Sequence, residues 1–295
     1  DVDLFADDLK VSKEFDRETP NAECKRQMQV CRQRVHQWGK TNRVAFDAEK
    51  EHILIVHPSH GEGDPFKMLG CLTDCKLSMH HAIDQILNKV RQKGRRPCKQ
   101  DSIDCIMKNE EGELLNQFKT HIWGLMGTHN GAIFHAAASH LDRLDAIHRS
   151  FLRELGLDES VAFLKHNFAC PTLRRNIGVL GLLHKRILGK AHPVFSRLLP
   201  FRKDVECFIN PAGHDKQLYG HADTIQFQRA VFNQSIFCMT TEYNALPQNV
   251  VDCADVASFQ RQLTTMVRRE CQNSAPRWQY TFDLRRRVKY FHLDF

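Results

Sequence analysis

The sequence has no Cys-x-x-Cys pair, no internal repeat, no low-complexity tract and no long apolar run. The longest such run, Ile177 to Leu183, is far shorter than the roughly 20 residues a helix needs to cross a bilayer. Eleven cysteines are present, an odd number that argues against a closed disulfide framework and fits a reduced, intracellular protein, nuclear or cytoplasmic. Cys71 and Cys75 precede His80 and His81, but without the paired spacing of a zinc knuckle, so zinc is set aside. No stretch reads as a signal peptide. The chain begins at Asp1, without Met and in mid-strand, and is expected to be a piece of a longer polypeptide.

What is present is a chain of 295 residues, 42% hydrophobic and 26% charged, with room for one large domain or two smaller ones. The formal charge is +7, an excess that favours anionic partners such as nucleic acid. Its placement says more than its size. Arg91, Lys93, Arg95, Arg96 and Lys99 cluster, Arg174 adjoins Arg175, and Arg285, Arg286 and Arg287 precede Lys289. Taken singly, each cluster reads equally as a solvated face or a phosphate contact.

Val2 and Leu4, then Leu9 and Val11, alternate with polar positions around Asp7-Asp8. This period of two predicts a hairpin with two carboxylates at its tip. Adjacent like charges are poor for stability, but they suit Mg²⁺, which takes one or two hard carboxylate oxygens and fills its octahedron with water and phosphate. Thr19-Pro20 predicts a helix start, with Thr19 as cap. Cys24, Met28, Cys31, Val35 and Trp38 then form an apolar stripe closed by Gly39, and this helix is expected to back the hairpin. Strands are expected at Arg43 to Phe46, at Ile53 to Val56 and at Phe66 to Leu72, with a turn-rich loop from His57 to Pro65. Beyond residue 76 the pattern is helical. Helices are expected through Ile83 to Val90, Leu115 to Leu125, Phe134 to Phe151 with Gly156 as stop, Pro171 to Leu188, Thr224 to Tyr243 and Asp255 to Cys271. The fold class is thus α+β: a small mixed unit followed by a mostly helical remainder.

The order of these elements resembles the C-terminal half of a reverse transcriptase palm, of the non-LTR retrotransposon type. Phe5-Ala6-Asp7-Asp8 resembles the family's aromatic-x-Asp-Asp hairpin. Trp38-Gly39 through Lys50 resembles its next motif, a helix ending at Trp with a Lys before the following strand. Phe66-Lys67-Met68-Leu69-Gly70 resembles the primer grip. More loosely, Leu115 to Leu155 and the segments Leu246 to Val251 and Ser258 to Leu263 resemble the family's later helices.

The resemblance implies a truncated palm at 1–76, a thumb-like helix and loop at 77–112, a helical C-terminal region at 113–272 and a basic tail at 273–295. It implies RNA-directed DNA polymerase chemistry with Mg²⁺, or Mn²⁺, held by Asp7 and Asp8, and Lys50 near the departing pyrophosphate. Phe5, Leu69 and Gly70 would meet the primer, and Arg91, Lys93, Arg95 and Arg96 the duplex backbone. The partners implied are an RNA template, a DNA primer and, in the complete enzyme, dNTP; no membrane is involved. The family's site also takes a third carboxylate from an earlier palm strand, and Asp1 and Asp3, on the same hairpin strand, cannot supply it. The chain alone is therefore expected to bind primer–template without extending it. Two other readings stay open: a non-catalytic helical module that binds RNA or RNA–DNA duplex, and an inactive retrotransposon relic.

Overall fold

The computed structural model describes residues 2–5, 8–16, 18–57, 59–94, 111–127, 129–204, 213–220 and 236–283; at 2–5, 8, 94 and 111 it describes the backbone. The chain divides into two compact units, Asp1–Ser78 and Met79–Phe295. The first is mixed and the second helical, in keeping with the α+β class.

In the first unit, strands β1 (Val2–Phe5) and β2 (Asp8–Val11) pair antiparallel, from Val2 against Val11 to Phe5 against Asp8. Helix α1 runs Asn21–Asn42. Strands β3 (Phe66–Met68) and β4 (Cys71–Thr73) form a second antiparallel pair. The two sheets are separate.

Several expectations change here. Pro20, not Thr19, is the N-cap of α1, its extended backbone turning the chain into the helix. Gly39 does not end the helix. It lies inside, where a Cβ would come within 2.7 Å of the Phe46 ring and of the Val44 carbonyl, so it serves close approach; Arg43, in the left-handed region, ends α1. Trp38 is not part of the buried stripe: 55% of it is exposed, while Cys24 is buried. The strands expected at Arg43 to Phe46 and Ile53 to Val56 do not form. Only an isolated bridge between Ile55 and Glu62 appears, and Val44, Ile53 and Val56 stay exposed because no neighbouring strand covers them among the described residues. The expected strand Phe66 to Leu72 folds instead into the β3–β4 hairpin.

The second unit contains α2 (His80–Gly94), α3 (Glu111–Phe118), a π-helical turn (Lys119–Trp123), α4 (Gly124–Gly127), α5 (Asn130–Ile133), α6 (Ala138–Glu154), α7 (Glu159–His166), α8 (Pro171–Ile187), α9 (Val194–Leu198), α10 (Met239–Asn244), α11 (Gln248–Val251) and α12 (Val256–Gln272). The helix expected from Phe134 to Phe151 is broken: Ala137 is extended and caps α6, yet Phe134 and Leu141 are both buried, so the apolar spacing runs across the break. Most of the helix expected at Thr224 to Tyr243 lies outside the described residues. Gly156 does follow α6 with a positive φ of 66°.

The core forms around α8 and α12. Leu173, Leu180 and Leu183 on α8, and Phe259, Leu263 and Val267 on α12, are all fully buried. The α12 residues recur every four positions, a single stripe on one face. Asp255 caps this helix by accepting from the Ser258 amide at 2.8 Å. One buried polar group in this core, His184, is paired at both ring nitrogens. His184 stacks on Phe259 with centroids 4.1 Å apart, and its ring nitrogens reach the Tyr243 hydroxyl and the Cys253 carbonyl, each at 2.9 Å. A carbonyl only accepts, so Nε2 carries the proton and Nδ1 accepts from the tyrosine.

Candidate functional site

In the first hairpin Phe5 stands opposite Asp8, the last pair of the register. Asp8 thus begins β2 at the turn end. Asp7 lies outside the described residues, and Phe5 and Asp8 are placed by backbone register alone. Just past β2, Lys13 hydrogen bonds Gln27 of α1.

Lys50 closes a 3-10 turn, Ala48–Lys50, capped by Asp47, whose carboxylate accepts from the Glu49 amide at 3.1 Å. The Lys50 ammonium stands 3.5 Å from the same carboxylate, with its side chain 85% exposed. A surface pair of this kind contributes little and leaves the lysine able to swing to another anion.

Leu69 and Gly70 are the two-residue turn between β3 and β4. Their φ angles are 49° and 80°, the double positive φ of a type I′ turn. Glycine adopts this freely, whereas leucine loses roughly 1–2 kcal/mol in the left-handed region. Leu69 is also 55% exposed. The hairpin therefore holds an apolar side chain out on a strained backbone. His52 stacks on Phe66 at its base, with centroids 5.0 Å apart.

Between α1 and residues 51–64 lies an open groove of about 640 Å³. Its charges are largely spent on each other. Lys25 pairs with Glu62, and that hydrogen bond holds the Glu62 carboxyl below its ordinary range. Burial raises the Glu51 carboxyl, but hydrogen bonds from His36 and Arg32 outweigh it and lower it overall.

Of the basic residues after the second hairpin, Arg91 and Lys93 are exposed in the last turn of α2, where cations complement the helix dipole. Arg95, Arg96 and Lys99 lie outside the described residues. Among the described residues no three His, Cys, Asp or Glu side chains converge as a metal site. No described helix is long and apolar enough to cross a membrane.

The Arg174–Arg175 pair, adjacent in sequence, splits into two environments. Arg175 is buried and donates to Asp145 of α6 at 2.9 Å, while Asp145 also accepts from the Thr172 amide and hydroxyl. Arg174 instead lies 3.8 Å from the Trp123 ring centroid. Nothing in the sequence separated these roles, because the partners come from other helices. Compared with protein-family models, curated proteins and solved structures, the chain matches none.

Proposed function

We propose that this chain is the palm end, thumb and C-terminal helical region of a reverse transcriptase of the non-LTR retrotransposon type. It binds primer–template duplex and does not extend it unaided. The observation that carries the reading is the order of the first unit: a hairpin closing at Asp8, a long helix, an exposed lysine at a turn, then a hairpin displaying Leu69 beside Gly70. Its exposed apolar side chains, Trp38, Val44 and Val56 among them, suit a unit that packs against further strands.

On this reading Asp7 and Asp8 hold Mg²⁺, with Mn²⁺ as substitute, once the remaining ligands are supplied. Phe5, Leu69 and Gly70 lie along the primer. Arg91, Lys93, Arg95 and Arg96 lie along the duplex backbone, and Lys50 stands where phosphate charge develops. The protein works inside the cell, in nucleus or cytoplasm, with RNA template, DNA primer and dNTP as partners of the complete enzyme.

A second reading is a duplex-binding module without catalysis, to which the exposed Arg91 and Lys93 at the end of α2 would equally belong. One experiment separates them. Filter binding of an RNA–DNA primer–template should weaken with salt by about 0.9 log unit per phosphate contact per decade. In a complete polymerase carrying this segment, Asp7→Ala should abolish dNTP incorporation. Salt-insensitive binding, or none, overturns both readings. Undiminished incorporation by the Asp7 variant overturns the first.

A further inference from the structure

The second unit carries cations that the core does not use. The π-helical turn Lys119–Trp123 presents both Lys119 and Trp123. Such widened turns are rare and occur frequently at functional sites. Phe168 stacks on the indole with centroids 4.7 Å apart and planes 10° from parallel. The Arg174 guanidinium, 3.8 Å from the indole centroid, must therefore occupy the opposite face. Lys119 Nζ is 5.9 Å from the same centroid and donates to the His166 carbonyl at 2.5 Å, which leaves two N–H donors.

Among the described residues these charges have no counterion. Arg174 has no carboxylate partner and no hydrogen-bond acceptor among the described residues, and Asp145 is occupied by Arg175 and Thr172. Burial pushes Arg174 down to about 10 and lowers Lys119 as well. The Trp123 Nε1–H is buried and has no acceptor among the described residues. Guanidinium, ammonium and indole N–H are all donors, so what the patch lacks is an acceptor, and two uncompensated cations make an anion the fitting one. Contact with the Trp123 ring holds the guanidinium in place, and its N–H groups can offer a planar fork to oxygens.

We infer that Arg174 and Lys119, braced by Trp123, form a phosphate-binding site in the second unit that takes a backbone phosphate of the bound nucleic acid. The site rests on the nucleic-acid reading above and adds a contact outside the first unit. Inorganic phosphate offers the same chemistry as a single ion.

The test follows the three tryptophan indole N–H signals of the ¹⁵N-labelled chain while an RNA–DNA primer–template, or inorganic phosphate, is added. The Trp123 signal should move with duplex at concentrations at least tenfold below those of phosphate that move it, while that of the core Trp278 stays in place. In parallel, Arg174→Met should lower the slope of log affinity against log salt by about 0.7–0.9, the loss of one contact. If Arg174→Met does not fold, Arg174→Lys serves. It keeps the charge and the salt slope, but the Trp123 response should shrink because the fork is lost. Duplex binding with an unmoved Trp123 signal, or an unchanged slope in Arg174→Met, overturns the site and leaves the nucleic-acid reading standing. A response to inorganic phosphate alone overturns the backbone assignment. Absence of any duplex binding overturns the reading beneath it and this phosphate source together.

Discussion

The two units differ most in what they bury. In the helical unit, Leu173, Leu180, Leu183, Phe259, Leu263 and Val267 are fully enclosed. Among the described residues of the first unit, the buried apolar side chains are Cys24 and Cys71. Among the described residues, every large hydrophobic that is exposed, namely Val30, Trp38, Val44, Ile53, Val56 and Leu69, belongs to that unit. Its two hairpins do not join into one sheet, and an isolated two-stranded hairpin is marginal in water. The helical unit has the core of an independent domain; the mixed unit has elements and turns with little interior.

The largest effect expected from this contrast is a truncation in each unit. Phe259→Ala should cost about 3–5 kcal/mol, since it removes a fully buried ring and the face on which His184 stacks. Trp38→Ala, although it deletes a larger side chain, should cost less than about 1 kcal/mol because more than half of that side chain is already in water. Denaturant unfolding of both variants measures the pair, and equal losses would erase the distinction between the units.

Next in size is the buried ion pair. Asp145→Asn should cost about 3–5 kcal/mol, because it strands the Arg175 guanidinium in the core. The double variant Asp145→Leu, Arg175→Met should recover most of the loss, since an apolar pair of similar volume leaves no charge unpaired. Failure of that rescue in thermal unfolding would mean that the network with Thr172 specifies the α6–α8 packing by itself.

A pH dependence follows from His148, buried against Phe168 at a centroid separation of 4.7 Å. Burial, opposed by the nearby Asp145 charge, lowers its pKa from 6.5 to about 4. The unfolded chain therefore binds a proton between those values that the folded chain refuses. Stability is fully present above pH 6.5 and is lost as pH falls toward 4, by on the order of 3 kcal/mol from this one group. His184 and His214, lowered chiefly by burial, act in the same direction. His148→Phe keeps the stack and should flatten the stability profile between pH 7 and pH 5; an unchanged profile would assign the titration elsewhere.

The sequence was most legible where one element carries its own signal. The alternation around Asp7-Asp8, the helical pattern from Asp255 to Cys271 and the Gly156 stop all need only local spacing, and β1–β2, α12 and the positive φ of Gly156 are present. It was least legible where a second element decides. Trp38 fits an apolar stripe by spacing, but nothing among the described residues covers it. Gly39 reads as a stop until Phe46 is seen against it. Ile53 to Val56 has the composition of a strand but, among the described residues, no strand partner beyond the bridge at Ile55. The same limit hid Arg174 on Trp123, which joins residues 51 positions apart.

The smallest expected effect sharpens the contrast from the side of the weaker unit. Leu69 occupies the first left-handed position of a type I′ turn, where asparagine is favoured and leucine is not. Leu69→Asn should therefore stabilise the β3–β4 hairpin by roughly 1 kcal/mol, since it relieves the strain and removes an exposed apolar side chain without emptying a core. Slower hydrogen exchange at the amides of Phe66 to Thr73 would register the gain. If Leu69 meets the primer, the same substitution should weaken primer–template binding, because the strained, exposed leucine is held for contact at the expense of local stability. A hairpin that tightens while affinity falls fits that role. A hairpin that tightens with affinity unchanged leaves Leu69 as mere strain and removes it from the nucleic-acid surface. A hairpin that loosens would mean that the leucine packs where the structure leaves it exposed.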